Sequence, residues 1–140
     1  MKIEELFNQL KGLSREELVK QGREAYAQFG ERMSKVGYKH DEIVAFATML
    51  VRLAAGADNF GGKDELELFE AVTNIKTDPY EFKAMTRNAD DPEFIRVIDE
   101  IVDSLDAASK QAALKFAAVF FAVDNHLGEK EIALFKRLEA

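Results

Sequence analysis

Apolar residues recur along this chain at intervals of three and four, the period of helices that turn one face inward. Ile3, Leu6, Phe7 and Leu10 form the first such stripe, which Gly12 can end. Ser14 then stands where an N-cap belongs, with Glu17 three residues on to complete a capping box. The helix it opens is expected to reach about residue 36, with Leu18, Ala25, Phe29, Met33 and Val36 on its inner side. Gly22 and Gly30 would weaken that helix in isolation and suit a close approach by a neighbour. His40 or Asp41 opens the next helix. Ile43, Val44, Phe46, Ala47, Leu50, Val51, Leu53, Ala54 and Ala57 cover nearly all of its sides, which predicts a central position.

After a turn at 58–62, a helix is expected from Lys63 to about Val72. Asp78-Pro79 and Asp91-Pro92 each pair a capping aspartate with a proline suited to the first helical position. They predict a short helix over 80–85 and a longer one over 93–105, the latter carrying Phe94, Ile95, Ile98, Ile101, Val102 and Leu105 inward. Ser109 is the expected start of a second central helix, rich in alanine and phenylalanine, and a last helix covers about 129–138. No strand-like alternation interrupts this order. The expectation is a single all-α domain over 1–140, a compact bundle of about seven or eight helices.

Two parts of that bundle repeat. An offset of 66 residues places Ala47, Asp58, Asn59, Gly62, Glu65, Leu68 and Phe69 on Ala113, Asp124, Asn125, Gly128, Glu131, Leu134 and Phe135. The repeated segments, about 47–72 and 113–138, each read as apolar helix, acidic turn and second helix, so two similar helix-turn-helix units are expected. Asp58 and Asp124 close a helix, where a carboxylate opposes the helix dipole and needs partners. Glu65 and Glu131 fall in the first turn of the following helix, with Gly62 and Gly128 at or beside its N-cap and Asn59 and Asn125 as turn residues. Two readings stand: the acids cap amides and stabilise the turns, or each pair holds calcium or magnesium through oxygen ligands. His126 beside Asp124 and Glu131 makes a mixed nitrogen and oxygen site conceivable, against a solvent-facing or capping role. Neither turn is an EF-hand, because Phe60 and His126 take the third loop position and Phe69 and Phe135 the twelfth.

These two segments, LVRLAAGADNFGGKDELELFEAV (50–72) and LKFAAVFFAVDNHLGEKEIALFKRL (114–138), resemble the tellurite-resistance TerB-like family over about a third of the chain. The resemblance implies a TerB-like helical bundle, with Asp58 and Glu65 as the first acidic pair and Asp124 and Glu131 as the second. It also implies an association with tellurite or other chemical stress and with divalent cations. Asn59 and Asn125 replace the usual turn glycine, Phe60 and His126 a frequent acid, and Gly62 and Gly128 polar caps.

Net charge of −7 opposes non-specific binding to nucleic acid or anionic lipid. The acids of 90–106 fit the wet side of a helix, and a partner there is expected to be a basic protein surface. No cysteine is present, which removes disulfides and thiolate chemistry and fits a reducing cytoplasm. The apolar run 116–123 is too short to span a bilayer. Neither a phosphate-binding glycine loop nor a nucleophile-base spacing is found. The expected role is therefore a non-enzymatic intracellular binding or interaction protein responsive to divalent cations. The alternatives are a constitutive interaction module with purely structural acidic turns, and an enzyme using an Asp/Glu/His pocket.

Overall fold

A computed structural model describes residues 1–55, 63–76, 92–124 and 127–139. In chain order these form α1 (Ile3–Leu10), α2 (Arg15–Lys35), α3 (His40–Ala55), α4 (Lys63–Thr73), α5 (Pro92–Ser104), α6 (Ala107–Asp124) and α7 (Glu129–Phe135), the last running into a 3-10 turn at Lys136–Leu138. The described residues contain no strand. The all-α expectation holds, but the expected count of seven or eight bundle helices does not. Six helices of eight residues or more make up the described bundle; after Gly128 comes a seven-residue segment that tightens at once into 3-10 geometry. Short segments of this kind fall below the length at which helices stand by themselves, and tertiary packing holds them. The helix expected over 80–85 lies outside the described residues.

Local chemistry explains several boundaries. Ser14 Oγ accepts from the Glu17 amide at 3.2 Å and starts α2. That helix ends in a Schellman motif: the Tyr38 amide donates to Met33 O and the Gly37 amide to Ser34 O, with Gly37 at φ 103°. Asn74, at φ 61°, stops α4 in the left-handed region that asparagine tolerates. Pro92 takes the first position of α5. Ser109 is not the opening residue of α6. The helix opens at Ala107, capped by Asp106, which accepts from the Ser109 amide at 2.8 Å while Ser109 itself is buried at the third helical position. The Ser109 hydroxyl and amide hold the Asp106 carboxyl below its ordinary value, with the nearby Arg32 guanidinium adding to the effect.

The centre of the bundle is α6. Ala112, Ala113, Leu114 and the whole run Phe116–Ala122 are buried, so this helix is enclosed on all sides. It packs on α1, α2, α3, α4 and the 3-10 turn. The expected central position of α3 is corrected accordingly: Ile43, Phe46, Ala47, Leu50 and Val51 form one buried stripe, while Ala45 is exposed and Val44 and Met49 are half-buried. Apolar residues on the wet side of α3 made it look more enclosed than it is. Aromatic rings tie the layers together. Phe29 of α2 meets Phe46 and Phe116 edge-on, with centroids 5.6 and 5.4 Å away, and Phe116 leads on to Phe120 at 5.2 Å. Each such pair contributes about 0.5–1.5 kcal/mol beyond burial.

Two glycines of α2 behave differently. A Cβ on Gly22 would lie 2.8 and 3.1 Å from the two methyls of Val72, so α2 and α4 touch there because the side chain is missing. A Cβ on Gly30 would meet only Ile43 Cγ2 at 3.5 Å, an ordinary contact. Finally, α1 seals the bundle by burying Ile3, Leu6 and Leu10, and the Ile3 amide donates to Glu139 Oε1 at 3.3 Å.

Candidate functional site

The two helix-to-helix turns are where sequence pattern concentrates chemistry, and the helices flanking them are well anchored. α4 and α7 begin at Lys63 and Glu129, the same 66-residue separation that relates the repeated segments. Equivalent positions share their burial: Ala47 and Ala113 are fully enclosed, and Phe69 and Phe135 are each 1% exposed. Phe69 leans on Phe120 at 6.4 Å; Phe135 meets Phe121 edge-on at 5.5 Å. Each second helix is thus pinned to α6 by the same phenylalanine of the repeat. α4 gains further hold from α2, where Arg23 Nε donates to Ala71 O at 2.8 Å.

Of the residues read as site candidates, Asp58, Asn59, Gly62, Asn125 and His126 lie outside the described residues, as do the side chains of Glu65, Asp124 and Glu131. The backbone makes Asp124 the last residue of α6, and it sets Glu65 and Glu131 third in α4 and α7. At that position a carboxylate is favoured by the helix dipole. Gly128 is the N-cap of α7 in extended geometry (φ −89°, ψ 168°) and, lacking a side chain, caps no amide; its carbonyl accepts from the Ile132 amide at 3.1 Å. Among the described residues, no three histidine, aspartate or glutamate side chains gather closely enough to hold a metal ion.

Sequence reasoning missed an opening elsewhere. Tyr26, Gly30, Glu31 and Ser34 of α2 and His40 and Ile43 of α3 line an open cavity of about 330 Å³. His40 indeed begins α3, but it also stands at this opening, to which helical spacing on two separate elements brings the polar groups. Glu31 is bridged to Lys35 at 3.2 Å, and partial burial raises the Tyr26 phenol above its usual value. The matching signal in the sequence was the i, i+4, i+5, i+8 spacing from Tyr26 to Ser34, which also suits an ordinary helix face.

The acids of α5 are less available than their number suggests. Arg96 pairs with Glu93 and, at 3.6 Å, with Glu100, and both carboxylates raise the arginine above its ordinary value, Glu93 most through its hydrogen bond. Asp106 belongs to the α6 cap and approaches Arg32 at 3.7 Å, leaving exposed Asp103 as the outward acid at this end. No described helix is long and apolar enough to cross a membrane. Compared with known proteins, the chain matches no protein-family model, no curated protein and no solved structure.

Proposed function

We propose that this chain is a non-enzymatic helical binding domain whose two acidic turns take a divalent cation, calcium or magnesium, and pass its effect to a protein partner with a basic surface. The observation carrying this reading is the common placement of the two second helices. α4 and α7 open 66 residues apart, each with a glutamate at its third position, behind helices α3 and α6 that pack on each other. A cation drawing Asp58 toward Glu65, or Asp124 toward Glu131, would join the end of one helix to the start of the next. On this reading the protein works in a reducing cytoplasm, and its resemblance to TerB-like domains extends to a part in tellurite or chemical-stress response.

The test uses metal-free protein titrated with calcium and with magnesium, followed by amide NMR. Local, saturable changes over 58–65 and 124–131 that disappear in the Glu65→Gln, Glu131→Gln double variant are expected. Uniform, weak shifts of the kind any added salt produces would refute cation binding.

One observation favours a second reading, a constitutive interaction module with structural turns. Elsewhere this chain uses an acid in that way: Asp106 accepts the Ser109 amide and caps α6. If Asp58 and Asp124 act similarly, the double variant and aspartate-to-alanine changes lower stability and leave no cation affinity to lose.

A further inference from the structure

A second opening, of about 370 Å³, lies where α1, α2 and α6 meet. Leu6, Gln9 and Leu10 of α1 and Leu13 of the following turn line it with Met1, together with Gln21 of α2 and Lys115 of α6. Leu6 and Leu10 are almost fully buried, whereas Met1 and Leu13 remain 46% and 37% exposed. Few large apolar side chains of the described residues are exposed to that degree, and this groove gathers two of them. The arrangement is held in place by backbone contacts. Gln111 Nε2 donates to Met1 O at 3.0 Å, which fixes the chain start one helical turn from Lys115 on the same face of α6. The Leu13 amide donates to Leu10 O at 3.0 Å and folds the turn back over α1.

Lys115 gives this groove a chemical preference. It is half-buried, stands beside apolar walls and has no ion-pair partner among the described residues, in a chain whose overall charge is −7. The amide nitrogen of Gln21 is already donated to Glu17 Oε1 at 3.0 Å. An occupant matching both the walls and the cation carries an alkyl chain and one negative charge. The volume stands at the small end of ligand sites. We propose that this groove binds a single-chain alkyl carboxylate, its chain lying along Leu6, Leu10 and Leu13 and its carboxylate on the Lys115 ammonium. The site is separate from the acidic turns and does not depend on their binding a cation.

Octanoate, octanol and octyltrimethylammonium are titrated into the full chain below their aggregation thresholds and followed by amide NMR. Octanoate is expected to give saturable shifts confined to residues 6–13, Gln21 and Lys115. Loss of a charge-assisted contact should weaken it at least about fivefold in Lys115→Gln, while Lys115→Arg retains binding. Leu13→Gln, a change at a surface position, should weaken it similarly, and octanol should bind at least about fivefold less well than octanoate. Thermal unfolding of each variant verifies that it is folded. Equal binding of octyltrimethylammonium, indifference to Lys115→Gln in a folded protein, or absence of localised saturation overturns the proposal. Sedimentation with phosphatidylglycerol vesicles supplies the remaining arm: association with vesicles by protein that ignores free octanoate would assign the groove to a membrane surface and overturn it as well.

Discussion

Replacing Gly22 by alanine sets two effects of known sign against each other. Within α2, alanine is favoured over glycine by about 0.8–1 kcal/mol, because glycine loses more backbone freedom and leaves the helix more exposed. Against this stands the new Cβ, 2.8 Å from Val72 Cγ2 and 3.1 Å from its Cγ1, with Val119 Cγ1 behind at 3.6 Å. Val72 is 4% exposed and β-branched, so every staggered position of its side chain keeps at least one methyl against the new Cβ. Forcing a methyl into such a contact costs about 2–3 kcal/mol. The net expectation is a loss of about 1–2 kcal/mol in Gly22→Ala, measured by urea unfolding under far-ultraviolet circular dichroism. In a Val72→Ala background, which itself costs about 1.5–3 kcal/mol, the obstruction is gone and Gly22→Ala should stabilise by about 0.5–1 kcal/mol. The coupling between the two sites is then about 1.5–3 kcal/mol. Gly30→Ala serves as the control: its Cβ meets ordinary contact distance, so it should stabilise the unmodified chain by about 0.5–1 kcal/mol. If Gly22→Ala stabilises both backgrounds equally, α2 and α4 do not depend on the missing side chain and the packing argument fails.

Ser14→Ala removes the hydroxyl that accepts the Glu17 amide and should cost about 1 kcal/mol, read from the same unfolding curves. Gly37→Ala, forced to hold φ near 103°, should cost about 1–2 kcal/mol although nothing lies within 4 Å of the new methyl; no loss would argue against the Schellman ending of α2. The folded state holds the Asp106 carboxyl below its unfolded value, so its stabilising effect is complete above the unfolded aspartate range and fades as pH falls through the folded value. Asp106→Asn should therefore flatten the acid limb of the stability curve, and an unchanged limb would count against the Asp106 to Ser109 contacts.

Much of this bundle could be read from spacing because single residues act locally. Ser14 before Glu17, proline at 92 and the stripe Ile3, Leu6, Leu10 each announce an element without reference to the rest of the chain. The ranking of α3 against α6 could not be read in the same way, since both carry apolar residues around most of their circumference. What separates them is the number of neighbours that enclose them, a tertiary property: Ala45 of α3 faces water, whereas the alanines of α6 let α1, α2 and α4 approach. Asp106 was misplaced for a related reason. Its position continues the acidic side of α5 by periodicity, and only the bond to Ser109 shows that it belongs to the next helix. The candidate turns were legible as a repeat, because duplication is a property of the sequence itself. Where Asp58 and Glu65 point depends on side-chain rotations that no spacing encodes. The groove beside Lys115 was invisible because α6 meets α1 and α2 there only through packing, and the cavity beside His40 because the angle between the consecutive helices α2 and α3 is not written in their spacing.

The contact between the Ile3 amide and the Glu139 carboxylate puts the two extremities of the described polypeptide at one corner of the bundle. Fluorophores attached at both extremities would sit side by side and transfer energy efficiently while the protein is folded. A few glycines joining them would close the backbone into a ring, and the chain could then be reopened at the exposed bend between α1 and α2 to give a permuted protein with the same core.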